Sequence, residues 1–344
     1  MMVIGTTSVH QKPSPPPENI MLDTIRTFVE NHTHQPLDAI DELTPGASAR
    51  QYFRVHLREQ TFIVSHTQDK TTFDDFLDIQ KYLDAIHIPV PQVFAYDENQ
   101  HLILQSDAGN QPLTKVVQED GVESERIKRL YIQAVEMIAQ MQFSQSPAPS
   151  AAFTRAFDTS KFWFEWDVHL QKYVINGFAE KVFTEPDLNR LRRFYGEIIR
   201  HLASQPRYFC HRDFQSSNLM VTADDRLLIV DFQDARLGLA QYDLVSLIED
   251  VYVPLPAALK IELIDHYLKK VAQLTGKPVE KASFMMYYDL TLIQRKLHDA
   301  GSFARAYLDL GKPQFLPYIP QCLHTVIHTM KGDRLNAALG CLHR

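Results

Sequence analysis

Three oxygen-bearing side chains, close together in the second half of the chain, have the types and spacing that chemistry requires. The run His211-Arg212-Asp213-Phe214-Gln215-Ser216-Ser217-Asn218 puts an amide five positions after an aspartate. Asp231-Phe232 follows thirteen residues after Asn218, closing the apolar run Leu227-Leu228-Ile229-Val230. Transfer of a phosphoryl group from ATP needs such a set. One carboxylate receives the proton of the attacking hydroxyl, while a second carboxylate and an amide oxygen hold magnesium against the phosphates. Thr222-Ala223-Asp224-Asp225 reads as a turn between Leu219-Met220-Val221 and Leu227–Val230, which sets Asn218 and Asp231 at corresponding ends of one hairpin. Both offer oxygen, the ligand a hard cation prefers. Asp213 precedes the hairpin, free to face an acceptor hydroxyl. Taken singly these residues are ordinary turn formers; taken jointly, with His211 two positions before Asp213, they favour catalysis.

The elements that must position this set divide into two textures. Ordered structure is expected from Ile20, with Ile25, Phe28 and Val29 at helical spacing. Ala39–Leu43, Tyr52–Leu57 and Thr61–Val64 read as strands, as do Val90–Ala95 and His101–Gln105. Phe73, Phe76, Leu77, Ile79, Gln80 and Leu83 form a helical stripe between them. Beyond Gly109 the chain reads as mainly helical, over 124–142, 159–176, 187–203, 243–252, 257–273 and 279–300, with one strand-rich stretch from Tyr208 to Phe232. This is an α+β, two-lobed plan: a small β-rich N-terminal lobe over 20–106 and a larger mainly α lobe over 107–344, after a proline-rich tail over 1–19.

Composition narrows the partners. The 344 residues can bury a large core, and 45% hydrophobic with 22% charged residues describes an ordinary globular protein. A net charge of -7 argues against nucleic acid, whose phosphates demand a basic face. Cys210, Cys322 and Cys341 offer no disulfide framework and suit a reducing, cytoplasmic setting. Fifteen histidines are scattered without ligand spacing. No apolar run reaches membrane-spanning length, and nothing points to an obligate protein partner.

The catalytic run, with Leu219-Met220, Asp231-Phe232-Gln233-Asp234-Ala235, Gly238 and Tyr242-Asp243-Leu244, resembles the aminoglycoside phosphotransferase/choline kinase family, of protein-kinase-like bilobal fold. Gly46–Arg54, Gln294-Arg295-Lys296-Leu297 and Gly301-Ser302-Phe303-Ala304-Arg305 resemble its bacterial anomeric kinases of N-acetylmuramate and N-acetylglucosamine. The resemblance implies ATP and Mg2+, with Asp213 as catalytic base, Asn218 and Asp231 as metal ligands, and His211 and Arg212 supporting the loop. It implies a phosphate-covering turn at Gly46, Ala47, Ser48 and Arg50, and an adenine hinge at Gln105, Ser106 and Asp107. The strand Phe62-Ile63-Val64 runs into Ser65-His66 where a phosphate-binding lysine is expected, leaving His66, Lys70, Arg50 or Arg54 to supply charge.

The acceptor pocket belongs to the helical lobe. Trp163 and Glu165, in Phe162-Trp163-Phe164-Glu165-Trp166-Asp167, offer a ring and a carboxylate for a sugar, although Trp163 and Trp166 fit a core stripe somewhat better. Arg295 and Arg305 are candidates for an acidic group such as a lactyl carboxylate, with ion pairing to Asp299 or Asp309 as an equal alternative. Asp243 reads as a helix N-cap. The expected reaction is ATP-dependent phosphorylation of a sugar hydroxyl. An aminoglycoside, choline or other amino-alcohol acceptor is the alternative, followed by a non-catalytic nucleotide-binding protein.

Overall fold

The structure, a computed structural model, describes residues 18–43, 50–144, 150–179 and 182–332. Nearly all of the proline-rich tail, and Cys341, lie outside the described residues. Contacts divide the chain into two compact units, residues 1–68 with 92–107, and residues 69–91 with 108–344.

The first unit is one antiparallel sheet with a helix. Strands β1 (Ala39–Leu43), β2 (Gln51–Leu57), β3 (Gln60–His66), β4 (Val93–Asp97) and β5 (Leu102–Ser106) lie in the order β1-β2-β3-β5-β4. Alternation in β2 sends Phe53, Val55 and Leu57 to one buried face. Phe53 pairs with Val64, and Val64 in turn with Leu104, so three strands contribute to one apolar layer. Helix α1 (Glu18–Thr33) lays Ile25, Phe28 and Val29 on that layer.

Helix α2 (Lys70–Ala85) belongs to the second unit. Asp69 caps it, accepting from the Thr71 and Thr72 amides at 3.3 and 3.2 Å. Its aromatic stripe packs there: Tyr82 stacks on Phe209 at 5.3 Å and Phe76 meets Phe232 at 4.8 Å. The remaining helices are α3 (Leu113–Asp120), α4 (Glu125–Phe143), α5 (Thr159–Glu165), α6 (Glu185–Ala203), α7 (Tyr242–Ile248), α8 (Ala257–Thr275), α9 (Lys281–Leu310) and α10 (Tyr318–Met330). Two short two-stranded sheets sit among them. β6 (Tyr208–Cys210) pairs with β9 (Arg236–Gly238), and β7 (Leu219–Val221) pairs with β8 (Leu227–Ile229). Among the described residues, no helix is long and apolar enough to cross a membrane.

Two features depart from a plain helical reading. The segment expected as one α-helix over 159–176 is α5 followed by a π-helical run, Trp166–Phe178, whose thirteen residues are long for that form. Apolar spacing cannot distinguish the wider turn from an α turn, because both bury the same aromatic face. The run lies directly on α9, where Gly301 meets it. A Cβ on Gly301 would stand 2.4 Å from both the His169 backbone oxygen and its Cβ. Gly301→Ala is therefore expected to force the two helices apart and to cost about 1–3 kcal/mol, as other overpacked contacts do. A urea melt of the unliganded protein checks this; an unchanged midpoint would show that the helices separate freely.

The second feature is α9 itself. Gln294, Arg295, Lys296, His298 and Asp299 are all buried, on a wide arc of the helix opposite the apolar Leu290, Ile293, Leu297, Ala300 and Ala304. Buried charge has to be paired, and those pairs lead to the catalytic loop.

Candidate active site

The β7–β8 hairpin does what its sequence demands. Leu219 pairs with Ile229, and the Val230 amide donates to the Asn218 carbonyl at 3.0 Å, so Asn218 and Asp231 emerge side by side. The Asn218 side-chain Nδ2 donates to the Asp213 carbonyl at 2.8 Å. That bond turns its Oδ1 away from Asp213 and ties the amide to the loop that carries the carboxylate. Asp231 has φ 66, a left-handed conformation uncommon for a residue with a side chain. Such strain persists where surrounding structure enforces it, often at functional sites. Gln233 Nε2 donates to Asp231 Oδ1 at 3.2 Å.

His211, Arg212 and Asp213 leave β6 on a second strained backbone, with Arg212 at φ 83. Asp243 holds this turn in place. Its fully buried carboxylate accepts the His211 amide at 2.7 Å and the Arg212 amide at 2.9 Å. The N-cap role expected of Asp243 is thus corrected: it lies inside α7, and its oxygens serve the catalytic loop because the β6–β9 pairing brings the two together. Burial pushes its pKa up, against the opposing pull of His211 and the two amides. The His211 Nε2–H donates to the Val230 carbonyl at 3.1 Å, linking loop to hairpin. Downstream, Ser216 donates through its amide and hydroxyl to buried Asp250, at 2.9 and 2.5 Å.

Asp213 is the accessible member, its side chain 34% exposed while that of Arg295 is only 2% exposed. Arg295 Nη2 donates to Asp213 Oδ1 at 3.0 Å, and Nη1 donates to the Arg212 carbonyl at 2.8 Å and the Tyr242 hydroxyl at 3.2 Å. Its Nε lies 2.9 Å from Asp299, which pairs in turn with Lys296 at 3.1 Å. Burial works against the charged Asp213, but Arg295 and Arg212 overcome it and hold its pKa well below the usual aspartate range. The result is an ionised, partly exposed carboxylate with one oxygen anchored.

Arg295 was expected as a substrate ligand; the structure corrects this. A guanidinium committed to Asp213, Asp299, Tyr242 and a backbone carbonyl has no fork left for a second carboxylate. Arg305, ten residues further along α9 and so about 15 Å away, is exposed and apart from this cluster. Trp163 packs edge-on to Trp166 and Tyr195 at 6.3 and 6.1 Å, with Arg192 over its ring, which is the core stripe. Glu165 is buried beside the cluster: its Oε2 accepts from Gln294 Nε2 at 2.6 Å and lies 3.5 Å from His298. Burial opposes its charge, yet His298 and Lys161 hold its pKa below the usual range.

In the first unit, Arg50 is buried with its guanidinium 5.6 Å from the Tyr52 ring centre. Gly46, Ala47 and Ser48 lie outside the described residues. Gln105 and Ser106 end β5, and Ser106 Oγ accepts the Gln92 amide at 2.9 Å. Asp107 accepts twice from Arg54, at 2.6 and 3.0 Å. Of the basic residues considered for the phosphates, Arg54 therefore serves Asp107, and Lys70 pairs with Asp74 at 2.8 Å. His66 meets Gln51 at 3.2 Å, and burial, with His101 nearby, lowers its pKa.

The sequence reading gave no site role to His298, Lys161 and Arg236, whose charges act on Asp213 or Arg212, nor to Gln294, which holds Glu165. The available signal was the run Gln294-Arg295-Lys296 with His298 and Asp299 in an otherwise apolar helix. A wide polar arc, buried like the apolar face opposite it, marks an internal ion-pair network.

The oxygen set fits magnesium. An amide and a carboxylate supply two hard ligands, and this ion usually takes the rest from phosphates and water. Among the described residues, no group of three or more His, Cys, Asp or Glu could hold a metal by itself.

Known proteins share this plan. The phosphotransferase enzyme family (APH) matches residues 39–279. An N-acetylmuramate/N-acetylglucosamine kinase of Neisseria meningitidis serogroup B is 30% identical over 284 residues, covering 81% of each chain. One of the same name from Pseudomonas putida is 26% identical over 289 residues, 83% of this chain and 82% of that one. Among solved structures, amicoumacin kinase in complex with AMP-PNP and Ca2+ superposes with a TM-score of 0.63 at 14% identity, covering 94% of this chain and 97% of that one. At that identity the likeness establishes the protein-kinase-like fold.

Proposed function

This chain belongs to the phosphotransferase enzyme family, and from that premise we propose that it transfers the γ-phosphoryl group of ATP to the anomeric hydroxyl of N-acetylmuramate or N-acetylglucosamine. The names of its relatives support the sugar. The observation that carries the reaction is the setting of Asp213: ionised, one-third exposed and locked at one oxygen by a buried arginine.

In the proposed reaction the sugar hydroxyl lies against the outer oxygen of Asp213, in line with the phosphorus it attacks. Asp213 accepts the hydroxyl proton as the new bond forms. Arg295 and the Asn218 bond to the loop keep that carboxylate from turning away. Asn218 and Asp231 would hold Mg2+, which when bound supplies positive charge against the triphosphate. Gln105, Ser106 and Asp107 are proposed to meet adenine, and Gly46, Ala47, Ser48 and Arg50 the phosphates. A cationic amino-alcohol acceptor suits the site less well, because the nearest carboxylates already have cationic partners of their own.

Purified protein, labelled ATP and a panel of acceptors test this. Label is expected on N-acetylmuramate and N-acetylglucosamine, in acid-labile linkage, and not on their methyl glycosides, in which the anomeric oxygen is blocked. Transfer to the methyl glycosides would move the reaction to another hydroxyl. Transfer to choline or an aminoglycoside and to neither sugar would overturn the sugar reading.

A further inference from the structure

We propose that Lys161, Arg212 and Arg236 form a subsite beside Asp213 that recognises an anionic substituent of the acceptor, a carboxylate above all. The inference rests on the sugar-kinase reading and deepens it, since N-acetylmuramate carries a lactyl carboxylate that N-acetylglucosamine lacks.

Most of the charges around the loop are already matched. Asp213 is matched by Arg295, which is matched by Asp299 and through it by Lys296. Arg155 is matched by Asp75 and also donates to the Gln233 and Ala235 carbonyls. Three cations remain, facing Glu165 and Asp234 only loosely, with Arg212 also acting on Asp213, which Arg295 already pairs. Lys161 Nζ lies 3.5 Å from Glu165 Oε1 and Arg212 Nη1 lies 3.5 Å from Asp234 Oδ1, both long for a charge-assisted bond. Arg212 Nε is buried with no hydrogen-bond partner among the described residues. Arg236 donates from Nε to the Asp234 carbonyl at 3.3 Å, lies against the Phe157 ring and forms no ion pair among the described residues.

The backbone brings the three together. Arg236 pairs with Cys210, one residue before the catalytic turn. Phe157 donates its amide to Leu237 at 2.8 Å, and Asp158 caps α5 through the Lys161 amide at 2.7 Å. Lys161 and Arg212 retain 20% and 18% of their side-chain exposure, so neither side chain is sealed from solvent. Like charges held close while partly buried are costly without a counter-ion. In keeping with that, burial first, and Arg212 among the neighbours, lower the pKa of both Lys161 and Arg236. A carboxylate arriving here would meet unused donors and an excess of positive charge, and would hold its sugar next to the base.

The same cations could instead serve the transferring phosphoryl group, and the test separates the two. Steady-state kinetics are measured for Lys161→Met and Arg236→Gln with N-acetylmuramate, its lactyl amide and N-acetylglucosamine. The ratio of kcat/KM for the acidic sugar to that for the neutral one is expected to fall about tenfold or more, since a hydrogen bond to a charged group is involved. The fall should appear in KM, with Lys161→Arg restoring most of it. In the unaltered protein the lactyl amide should behave like the neutral sugar. A parallel loss with both sugars would assign the cations to the phosphoryl donor and overturn the subsite, and so would an unchanged ratio. Absence of turnover with either sugar in the unaltered protein would instead refute the sugar reading, and the subsite with it. Neutral-sugar turnover reports whether each variant is folded.

Discussion

Asp213→Ala is expected to lower kcat by about 10² to 10⁴, the span general-base groups contribute, while leaving the fold intact. The contrast follows from the anchoring. Arg295 loses one bond in this variant but keeps Asp299, the Arg212 carbonyl and Tyr242. The buried guanidinium is therefore not stranded, and the melting midpoint should move little. Asp213→Asn sharpens the comparison. An amide oxygen still accepts from Arg295, so the geometry of the loop survives, but it cannot take a proton. Both variants should bind nucleotide, and both should fail in labelled-ATP turnover with N-acetylmuramate or N-acetylglucosamine. Near-normal turnover in either would remove Asp213 as the base and leave the loop a positioning device only.

How far the molecule could be read from its sequence depends on range along the chain. The trio Asp213, Asn218 and Asp231 was legible because a single tight hairpin connects its members: the Val230 amide on the Asn218 carbonyl is a local bond. The sheet was legible for a similar reason, since β2 and β3 are joined by a short turn and β2 alternates cleanly. Arg295 reaches Asp213 from 82 residues away, and no short-range pattern encodes that contact. Its residue type suits a substrate carboxylate and an internal one equally well, and only burial decides between them. Asp243 posed the same problem: an aspartate opening an apolar helix is most often a cap, and the β6–β9 pairing alone turns it to His211 and Arg212. The stripe on α2 showed that Phe76 would be buried, but neither that Phe232 would cover it nor that Tyr82 would join it by stacking on Phe209.

The long reach of Arg295 sets up the other large effect. Arg295→Met is expected to cost about 3–5 kcal/mol of stability, the usual penalty for removing one partner of a buried ion pair. Asp299 would keep Lys296, at 3.1 Å on the same helix, but lose its nearer cation. A stability loss alone would be shared by any core residue, so the informative readout is the pH dependence of kcat/KM. In the unaltered protein burial raises the Asp213 pKa, and Arg295 and Arg212 lower it by more, so the carboxylate stays ionised down past the usual aspartate range. The rate should show no acid limb from this group until the solution is more acidic than that range. Without Arg295 the burial cost is opposed mainly by Arg212, the pKa rises, and protonation disables the base at higher pH. The acid limb should therefore move upward in the variant. Arg295→Lys restores a charge but not the fork that spans Asp213, Asp299 and the Arg212 carbonyl, so it should recover part of the pH profile and less of the stability. If the limb stays in place while stability falls, Arg295 is packing and ion pairing only, and the tuning of Asp213 must come from Arg212.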